Sequence, residues 1–420
     1  MSPRPVALGL DFGTSNTVAA VADGSGVRVL PLDPGAADAR LFRSVLFFPE
    51  DGPFLAGSEA IAAYLSLSEG RFLQSLKSFL PSESFRATSL AGRAFTLEAL
   101  LSLLLRRVRE SIERQIGEPV SRVTLGRPAR FGDARTDAFA EGRLRRAAEA
   151  AGFREIDFRI EPLAASLAHE ASLERDELVV TGDFGAGTSD FTVMRLSPSR
   201  HREPDRRGDI LASGGAYVGG DWFDGAIMER LLPLFGSEAT SRTAFGDKRL
   251  RMPAHLMQRL LRWHTMSFIR DPETQEYLQR FLRTADRPEP VAALIDLVNH
   301  NLGYHLFRAI EGAKVDLSSR EATRLRYVED RVRVDVELTR AEFERCIAPG
   351  VGQLEGCLDG VLREAKVTAA DVDAVVLTGG SSLIPAIGAL FERRFGREKV
   401  KRSDAFGAVA EGLAMAAGAG

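Results

Sequence analysis

Two stretches of the chain share one pattern of apolar and polar positions. Val179 to Leu196 reads VVTGDFGAGTSDFTVMRL, an apolar run that ends at Asp183, a short glycine-rich turn, and apolar residues that resume at Phe191. Leu8 to Val21, LGLDFGTSNTVAAV, repeats the pattern with Asp11 before its turn. Each reads as two β-strands joined by a small-residue turn. The copies lie about 170 residues apart, an internal repeat that predicts two related halves.

The rest of the chain alternates strand-like and helix-like segments. A β-meander from Val6 to Leu32 turns at Gly24, Ser25 and Gly26, and a strand follows over Phe42 to Pro49. Helical periodicity marks Ala56 to Tyr64, 97 to 116 and Arg135 to Ala151, the last stopped by Gly152. Between them lie the apolar run Arg71 to Leu80, interrupted by Lys77, and a buried strand over Arg122 to Phe131 broken by Pro128. The strand Ile156 to Ile160 delivers Glu161 and Pro162 to a small-residue helix ending at Glu170. After the second hairpin come a charged loop over Arg200 to Asp209, the strand Ile210 to Ser213, and a glycine-rich loop from Gly214 to Gly220. That loop opens a helix with Asp221 in its first turn. Residues 245 to 310 carry no strand signal and predict helices over Leu256 to Phe268, Thr274 to Ala285 and Pro290 to Ala309. Strands around Leu325 and over Val332 to Leu338, a helix over Arg340 to Ala365, an apolar strand from Asp373 into Gly379 and Gly380, and a last helix over Phe406 to Ala417 complete the pattern.

Composition narrows the function classes. A chain of 420 residues with 45% hydrophobic content builds two or three packed domains. Its 55 basic and 58 acidic residues leave a net charge of -3, which offers no general attraction to nucleic acid or anionic lipid. The two cysteines, Cys346 and Cys357, have no metal-ligand spacing, and a reducing cytoplasm is the expected compartment. The apolar helix near Leu97 to Leu105 is short and runs into Arg106 and Arg107, so it reads as a core helix and no membrane span is expected.

The turns carry the candidate chemistry. Small residues free backbone N–H groups to face an anion, and the flanking carboxylates hold a cation through water, so a polyphosphate with its metal ion suits the two hairpin tips. Gly13, Thr14, Ser15 and Asn16 form the first tip, and Gly185, Ala186, Gly187 and Thr188 the second. Taken alone, the first turn is also what an ordinary hairpin capped by Asp, Ser and Asn looks like. Lys77 is the lone cation in an apolar run, a place where snorkelling to the surface is common. Glu161 stands at a strand end where a carboxylate can orient a water. Glu311, Lys314 and Ser318 recur on one helix face, which a solvated salt-bridged face also explains.

The order of these motifs is more specific than any one of them. Two D-x-G-T/A hairpins, E-P-x-A-A, G-G-D-x-F-D, E-x-x-K-x-x-x-S and V-x-x-T-G-G-S-S-x-I-P together resemble the actin-like ATPase superfamily, and within it the Hsp70 ATPase domain. The resemblance covers essentially the whole chain. It implies an α/β, two-lobed actin-like/Hsp70 nucleotide-binding fold built from duplicated ribonuclease-H-like domains, with a helical insert in the second lobe. The expected boundaries are 1–178 for lobe I, with a subdomain at about 39–116, and 179–400 for lobe II, with a mostly helical subdomain at about 225–309. Residues 401–420 form the closing helix.

The same resemblance assigns roles. ATP or ADP with Mg²⁺ is the expected ligand, and Asp11, Asp183 and Asp190 surround the metal's water shell. Lys77, Glu161, Asp183 and Thr188 form the catalytic set. Gly13, Thr14, Ser15 and Asn16 contact phosphate from the first hairpin, and Gly185, Ala186 and Gly187 from the second. Gly219, Gly220 and Asp221 approach phosphate and ribose, while Glu311, Lys314, Val315, Ser318, Gly379, Gly380, Ser381 and Leu383 line the nucleoside pocket. Val315 and Leu383 stand where typical members carry two adenine-stacking arginines, so cation-π stacking is lost. With no apolar linker or β-sandwich after Gly420, the expectation is the ATPase-only, YegD-type branch, without a peptide-binding domain. The implied function is ATP-driven lobe closure acting on a protein partner or co-chaperone. A sugar or acyl kinase of the same fold and a non-hydrolysing, nucleotide-gated actin-like switch are the alternatives.

Overall fold

Apolar strands and small-residue helices pair up here because each sheet must bury two faces. The computed structural model describes residues 7–418 apart from 24–25, 68–69, 91, 132, 201–202, 204–205, 243–248 and 404–405. Val6 and most of the expected Gly24–Ser25–Gly26 turn therefore lie outside the described residues. By backbone proximity the chain forms two compact units, Met1–Ala216 with Gly356–Ser382 and Ala389–Gly420, and Tyr217–Glu355 with Leu383–Gly388.

The first unit contains the internal repeat as sheet topology. One sheet orders its strands Glu155–Ile160, Arg122–Arg127, Ala7–Phe12, Asn16–Asp23 and Gly26–Val29, and the short strand Phe42–Arg43 also pairs with Asn16–Asp23. The other orders them Val400–Arg402, Ala374–Thr378, Glu177–Phe184, Ser189–Leu196 and Ile210–Ala216. In both, a hairpin strand has an antiparallel partner on one side, which pairs antiparallel with a third strand, and two parallel strands on the other. Parallel strands need both faces covered, and Ala374–Thr378 is buried along its whole length.

Helices fill the layers between and outside these sheets. Leu97–Ile116 and Ala134–Ala151 pack on the outer face of the first sheet, where Leu101, Leu105, Val108, Leu144 and Ala148 join Leu8, Leu10, Val123 and Leu125 in one core. Gly152 ends the second of these helices with φ 103°, a left-handed C-cap. On the inner face lies the closing helix Ala408–Gly418, whose Ala410 and Ala414 meet Val18 and Ala20. Its Val409 and Leu413 meet Ala164 and Ala165 of the helix Glu161–Glu170. That helix in turn lays Leu163 on Val179, Met194 and Val376 of the second sheet. Glycine makes this stack possible. A Cβ at Gly9 would lie 2.3 Å from the Ala414 nitrogen, and one at Gly412 only 2.0 Å from the Ala164 carbonyl oxygen.

The second unit is mainly helical, with differences from the sequence pattern. The helix expected over Leu256 to Phe268 is split into Ala254–Leu260 and a 3₁₀ segment, Trp263–Arg270. The one expected over Pro290 to Ala309 is split into Pro288–Asn299 and Gly303–Ser319. Asn301 adopts φ 58° at that break, a left-handed step which apolar periodicity does not register. The expectation of no strand in 245 to 310 is also corrected, because Arg249–Arg251 pairs with Thr240–Arg242. Gly214, Gly215 and Ala216 belong to the strand Ile210–Ala216, so the glycine-rich loop is shorter than expected and the next helix begins at Gly220. No helix among the described residues is long and apolar enough to cross a membrane.

The seam yields a stability prediction. Gly412→Val should lower the urea midpoint by the equivalent of about 1–3 kcal/mol or more, because the added atoms meet backbone and not a flexible side chain. Gly187→Ala, with nothing within 4 Å of its added Cβ, should leave the midpoint of the ligand-free protein within about 0.5 kcal/mol. Equal midpoints for wild type and Gly412→Val would contradict the packing.

Candidate active site

Strand ends of the first unit aim acids at one lysine. Asp11 and Asp183 each lie one residue from the end of their strands, Ala7–Phe12 and Glu177–Phe184, and Glu161 opens the helix that follows Glu155–Ile160. Lys77 sits in a short 3₁₀ helix, Leu76–Phe79, entered through Ser75 at φ 55°. Its Nζ donates to Glu161 Oε1 at 2.8 Å, with the two side chains 10% and 13% exposed. Lys77 is therefore held inward, in place of the snorkelling its sequence context also allowed.

The acids outnumber the cation facing them. Burial pushes the Asp11 carboxyl up to about 7, the Glu161 charge adds to the rise, and Lys77 opposes it. Asp183 is raised well above its ordinary value, by burial first and then by Asp11, Glu161 and Asp190. Asp190 is raised to about 6 by burial, while Thr188 Oγ1, donating to its Oδ2 at 3.1 Å, pulls the other way. For Lys77, burial alone would lower the pKa, but Glu161, Asp11 and Asp183 together leave it raised. Asp183 and Asp190 are direct cross-strand partners, a pairing that like charges make unfavourable by themselves. Lys77 is the cation that opposes these shifts in each of the three acids.

The hairpin tips leave room above the acids. Gly13 belongs where it is for a steric reason, since a Cβ there would lie 2.2 Å from the Asn16 carbonyl oxygen. Ser44 anchors the first tip by donating to the Gly13 carbonyl at 2.9 Å, its own N–H donates to the Ser15 carbonyl at 2.9 Å, and Arg43 reaches Asn16 Oδ1 at 3.2 Å. Thr14 and Ser15 are half-buried and Gly185 is exposed. At Gly187 a Cβ would meet nothing within 4 Å, so the protein itself does not require glycine there, whereas close approach by a ligand would. On the far side Gly379, at φ 83°, brings its backbone against that of Phe184, where a Cβ would lie 2.2 Å from the carbonyl oxygen. Ser381 beside it is buried, and a Cβ at Gly380 would lie 3.1 Å from the Phe406 ring.

In the second unit, Gly219 and Gly220 are buried at the start of the helix Gly220–Leu231, and Asp221 is exposed in its first turn. The Gly303–Ser319 helix carries Glu311, Lys314, Val315 and Ser318. Glu311 accepts from Arg308 Nη1 at 2.5 Å, and Ser318 Oγ donates back to the Lys314 carbonyl at 3.1 Å. A solvated face does not describe Lys314, which is 13% exposed and pairs with Asp224 at 2.9 Å. Val315 and Leu383 are the opposite case, apolar side chains 62% and 49% exposed.

Some residues of these neighbourhoods were not singled out in the sequence. Gly126 lies in the strand Arg122–Arg127, and a Cβ there would come within 2.9 Å of Glu161 Cγ, so its absence makes room for the acid. An isolated glycine inside a strand pattern is the available signal. Glu170, at the other end of Glu161's helix, is fully buried and receives Arg206 at 2.6 and 3.1 Å, a tie that no local motif marks. The shallow recess lined by Glu110, Glu113, Arg114, Gly117, Glu118 and Pro119 shares no residue with either group.

Comparison with known proteins decides the family. The model of the family described as Hsp70 protein matches residues 81–259 and 292–419. The chain belongs to the Hsp70 family. It is 25% identical over 413 residues to the chaperone protein DnaK of Cenarchaeum symbiosum (strain A), which covers 98% of this chain and 54% of that protein. The chain thus spans about half the length of this curated relative. Membership together with the duplicated sheets establishes the Hsp70 nucleotide-binding α/β fold.

The Hsp70 fold implies a divalent cation, and the residues present fit one. Among the described residues no three His, Cys, Asp or Glu converge as direct ligands. Half-buried acids that do not converge as direct ligands suit an ion that keeps its own waters.

The crowding of acids predicts a gain on removing one. In chelator and without nucleotide, Asp183→Asn should raise the thermal midpoint by a few degrees, because an acid whose ionisation the site opposes is gone. An unchanged or lower midpoint would show that the acids are already compensated.

Proposed function

We propose that the protein is an Hsp70-like ATPase that binds Mg-ATP, hydrolyses it slowly or moderately, and couples the cycle to lobe closure against a protein partner. The observation that carries this reading is the Lys77–Glu161 pair, at 2.8 Å, set among Asp11, Asp183 and Asp190 beneath two small-residue hairpin tips. Phosphoryl transfer to water asks for charge neutralisation and an oriented nucleophile more than for covalent chemistry. Lys77 would place its ammonium beside charge developing on the γ-phosphate. Glu161, held at a fixed distance from Lys77, would orient the attacking water. Thr188 would fix Asp190 and offer its backbone to phosphate with Gly185, Ala186 and Gly187, opposite Gly13, Thr14, Ser15 and Asn16. Asp11, Asp183 and Asp190 would hold Mg²⁺ through its waters, and the ion supplies neutralisation of the phosphate charge.

The remaining assignments belong to the same proposal. Lobe I is placed at 1–178 and lobe II at 179–400, closed by 401–420, with Gly219, Gly220, Asp221, Glu311, Lys314, Ser318, Gly379, Gly380 and Ser381 serving the nucleoside. Val315 and Leu383 would face the base with aliphatic surface, which gives weaker stacking than a guanidinium. The partner is a protein or co-chaperone, and the compartment is the cytoplasm. The name of the DnaK relative supports a chaperone role for it, and that role is extended here as a proposal.

ATP binding and single-turnover hydrolysis with Mg²⁺ test the reading. Wild type should hydrolyse bound ATP, while Lys77→Ala and Asp183→Ala bind it and turn over at least ~100-fold more slowly, the usual effect of removing one electrostatic contributor. Binding by wild type without hydrolysis would overturn the ATPase assignment in favour of a nucleotide-gated switch.

A further inference from the structure

Arg143 stands in the middle of the helix Ala134–Ala151 and is 3% exposed, a burial that a charged side chain tolerates only when its donors are used. Its Nε donates to Glu98 Oε1 at 3.0 Å, and Nη2 donates to Glu98 Oε2 at 3.5 Å. Nη1 donates to the carbonyls of Phe79 and Ser82 at 3.4 and 3.0 Å, and Nη2 to that of Phe85 at 3.1 Å. All five N–H groups of the guanidinium are thereby occupied. Burial alone would raise the Glu98 carboxyl, but its hydrogen bonds, led by that from Arg143, leave it lowered, so the charge beside the arginine is matched.

The three carbonyls belong to the chain that leaves Lys77. Leu76–Phe79 is a single 3₁₀ turn entered through left-handed Ser75, and one such turn has little stability of its own. Leu76 and Leu80 are buried on either side of Lys77, which fixes the depth of the turn in the core. Two such points would still leave the turn free to roll about the line that joins them, and the direction of the Lys77 side chain follows that roll. Phe79 is 41% exposed, so its side chain supplies no third point in the core. Its carbonyl does, because Arg143 holds it two residues beyond Lys77. Ser82 and Phe85 extend the hold through a turn in which Ser82 N–H donates to Phe79 at 3.0 Å and Phe85 N–H to Ser82 at 3.3 Å.

We propose that Arg143 is a positioning residue for Lys77, gripping the carbonyls of Phe79, Ser82 and Phe85 and bracing against Glu98 so that the 3₁₀ turn keeps the Lys77 ammonium on Glu161. The inference rests on the ATPase reading above, in which Lys77 faces the γ-phosphate, and adds to it a residue that acts from another helix. Arg146, three residues further along that helix, pairs with the same Glu98 oxygen at 3.2 Å from an exposed position, and so serves as the control for the acid pairing alone.

Single-turnover hydrolysis of Mg-ATP and dissociation constants for Mg-ADP, each measured below the thermal midpoint, compare wild type with Arg143→Lys, Arg146→Met, Lys77→Ala and the double variant Arg143→Lys with Lys77→Ala. Arg143→Lys keeps a charge beside Glu98 but lacks the fork that spans three carbonyls. It should slow turnover about tenfold or more while leaving ADP affinity within about twofold, the split expected when a group near the reacting phosphate is misplaced. Arg146→Met should turn over as wild type does. The double variant should match Lys77→Ala, because Arg143 acts through the lysine. Wild-type turnover by Arg143→Lys, an equal slowing by Arg146→Met, or a further loss in the double variant beyond that of Lys77→Ala would each overturn the proposal. Should Arg143→Lys fail to fold, Arg143→Met combined with Glu98→Met, which leaves neither partner charged and alone, is read in its place with the same outcomes. Wild type that binds ATP without hydrolysing it would instead overturn the parent reading.

Discussion

The constraint on which the first unit depends is the crowding of four half-buried acids around one lysine. Asp11, Glu161, Asp183 and Asp190 share the cation Lys77, and loss of solvent first, with the neighbouring acids adding to it, raises Asp11, Asp183 and Asp190. In a medium of low effective dielectric each such contact is expensive, so a fold chosen for stability alone would avoid it. It persists because the acids sit at strand ends and at a helix start, points that the two sheets hold rigidly. On the proposed reading, a ligand carrying its own cations would relieve the strain, and binding would restore the stability given up there.

Holding those chain ends requires the layers behind them to be thin. The closing helix meets the first sheet through Ala410 and Ala414, and meets the Glu161–Glu170 helix through Val409, Gly412 and Leu413. Larger residues along that seam would push the helix that begins with Glu161 outward, away from Lys77. Gly126 acts at the same point from the strand side, since it leaves the space that the Glu161 side chain fills. At the far end, Arg206 secures Glu170. The helix is therefore fixed at both ends and along one side, which is how a flexible carboxylate comes to have a defined position.

Much of this was legible in the sequence, for identifiable reasons. The duplicated hairpins announced themselves because strand, turn and strand are adjacent in the chain, and the parallel strand Ala374–Thr378 because both its faces are buried. The helical unit was less legible: left-handed Asn301 and the 3₁₀ segment Trp263–Arg270 are local backbone choices that leave hydrophobic periodicity intact. The strand Arg249–Arg251 is three exposed residues with no apolar alternation to reveal it. Lys77 and Lys314 were found by position, but their partners Glu161 and Asp224 are 84 and 90 residues away. Which acid a lysine meets is decided by packing, and packing between distant elements has no local signature.

The two lysines follow one rule in separate parts of the chain. Each leaves a helical segment, each is largely buried, and each is paired with an acid of another helix, Glu161 in the first turn of its helix for Lys77 and Asp224 in the second turn of its own for Lys314. Glu161 is welcome at its place because the helix N-terminus carries partial positive charge. Pinning a lysine in this way removes the rotamer freedom that four methylenes otherwise keep, so little further entropy is lost when a ligand arrives. What separates them is the remaining balance. Around Lys77 several acids crowd under the hairpin tips with their charges only partly matched. Around Lys314, Asp224 is matched by the lysine itself and Glu311 by Arg308. A common device, a buried lysine held by a carboxylate of another helix, thus stands in two different charge settings.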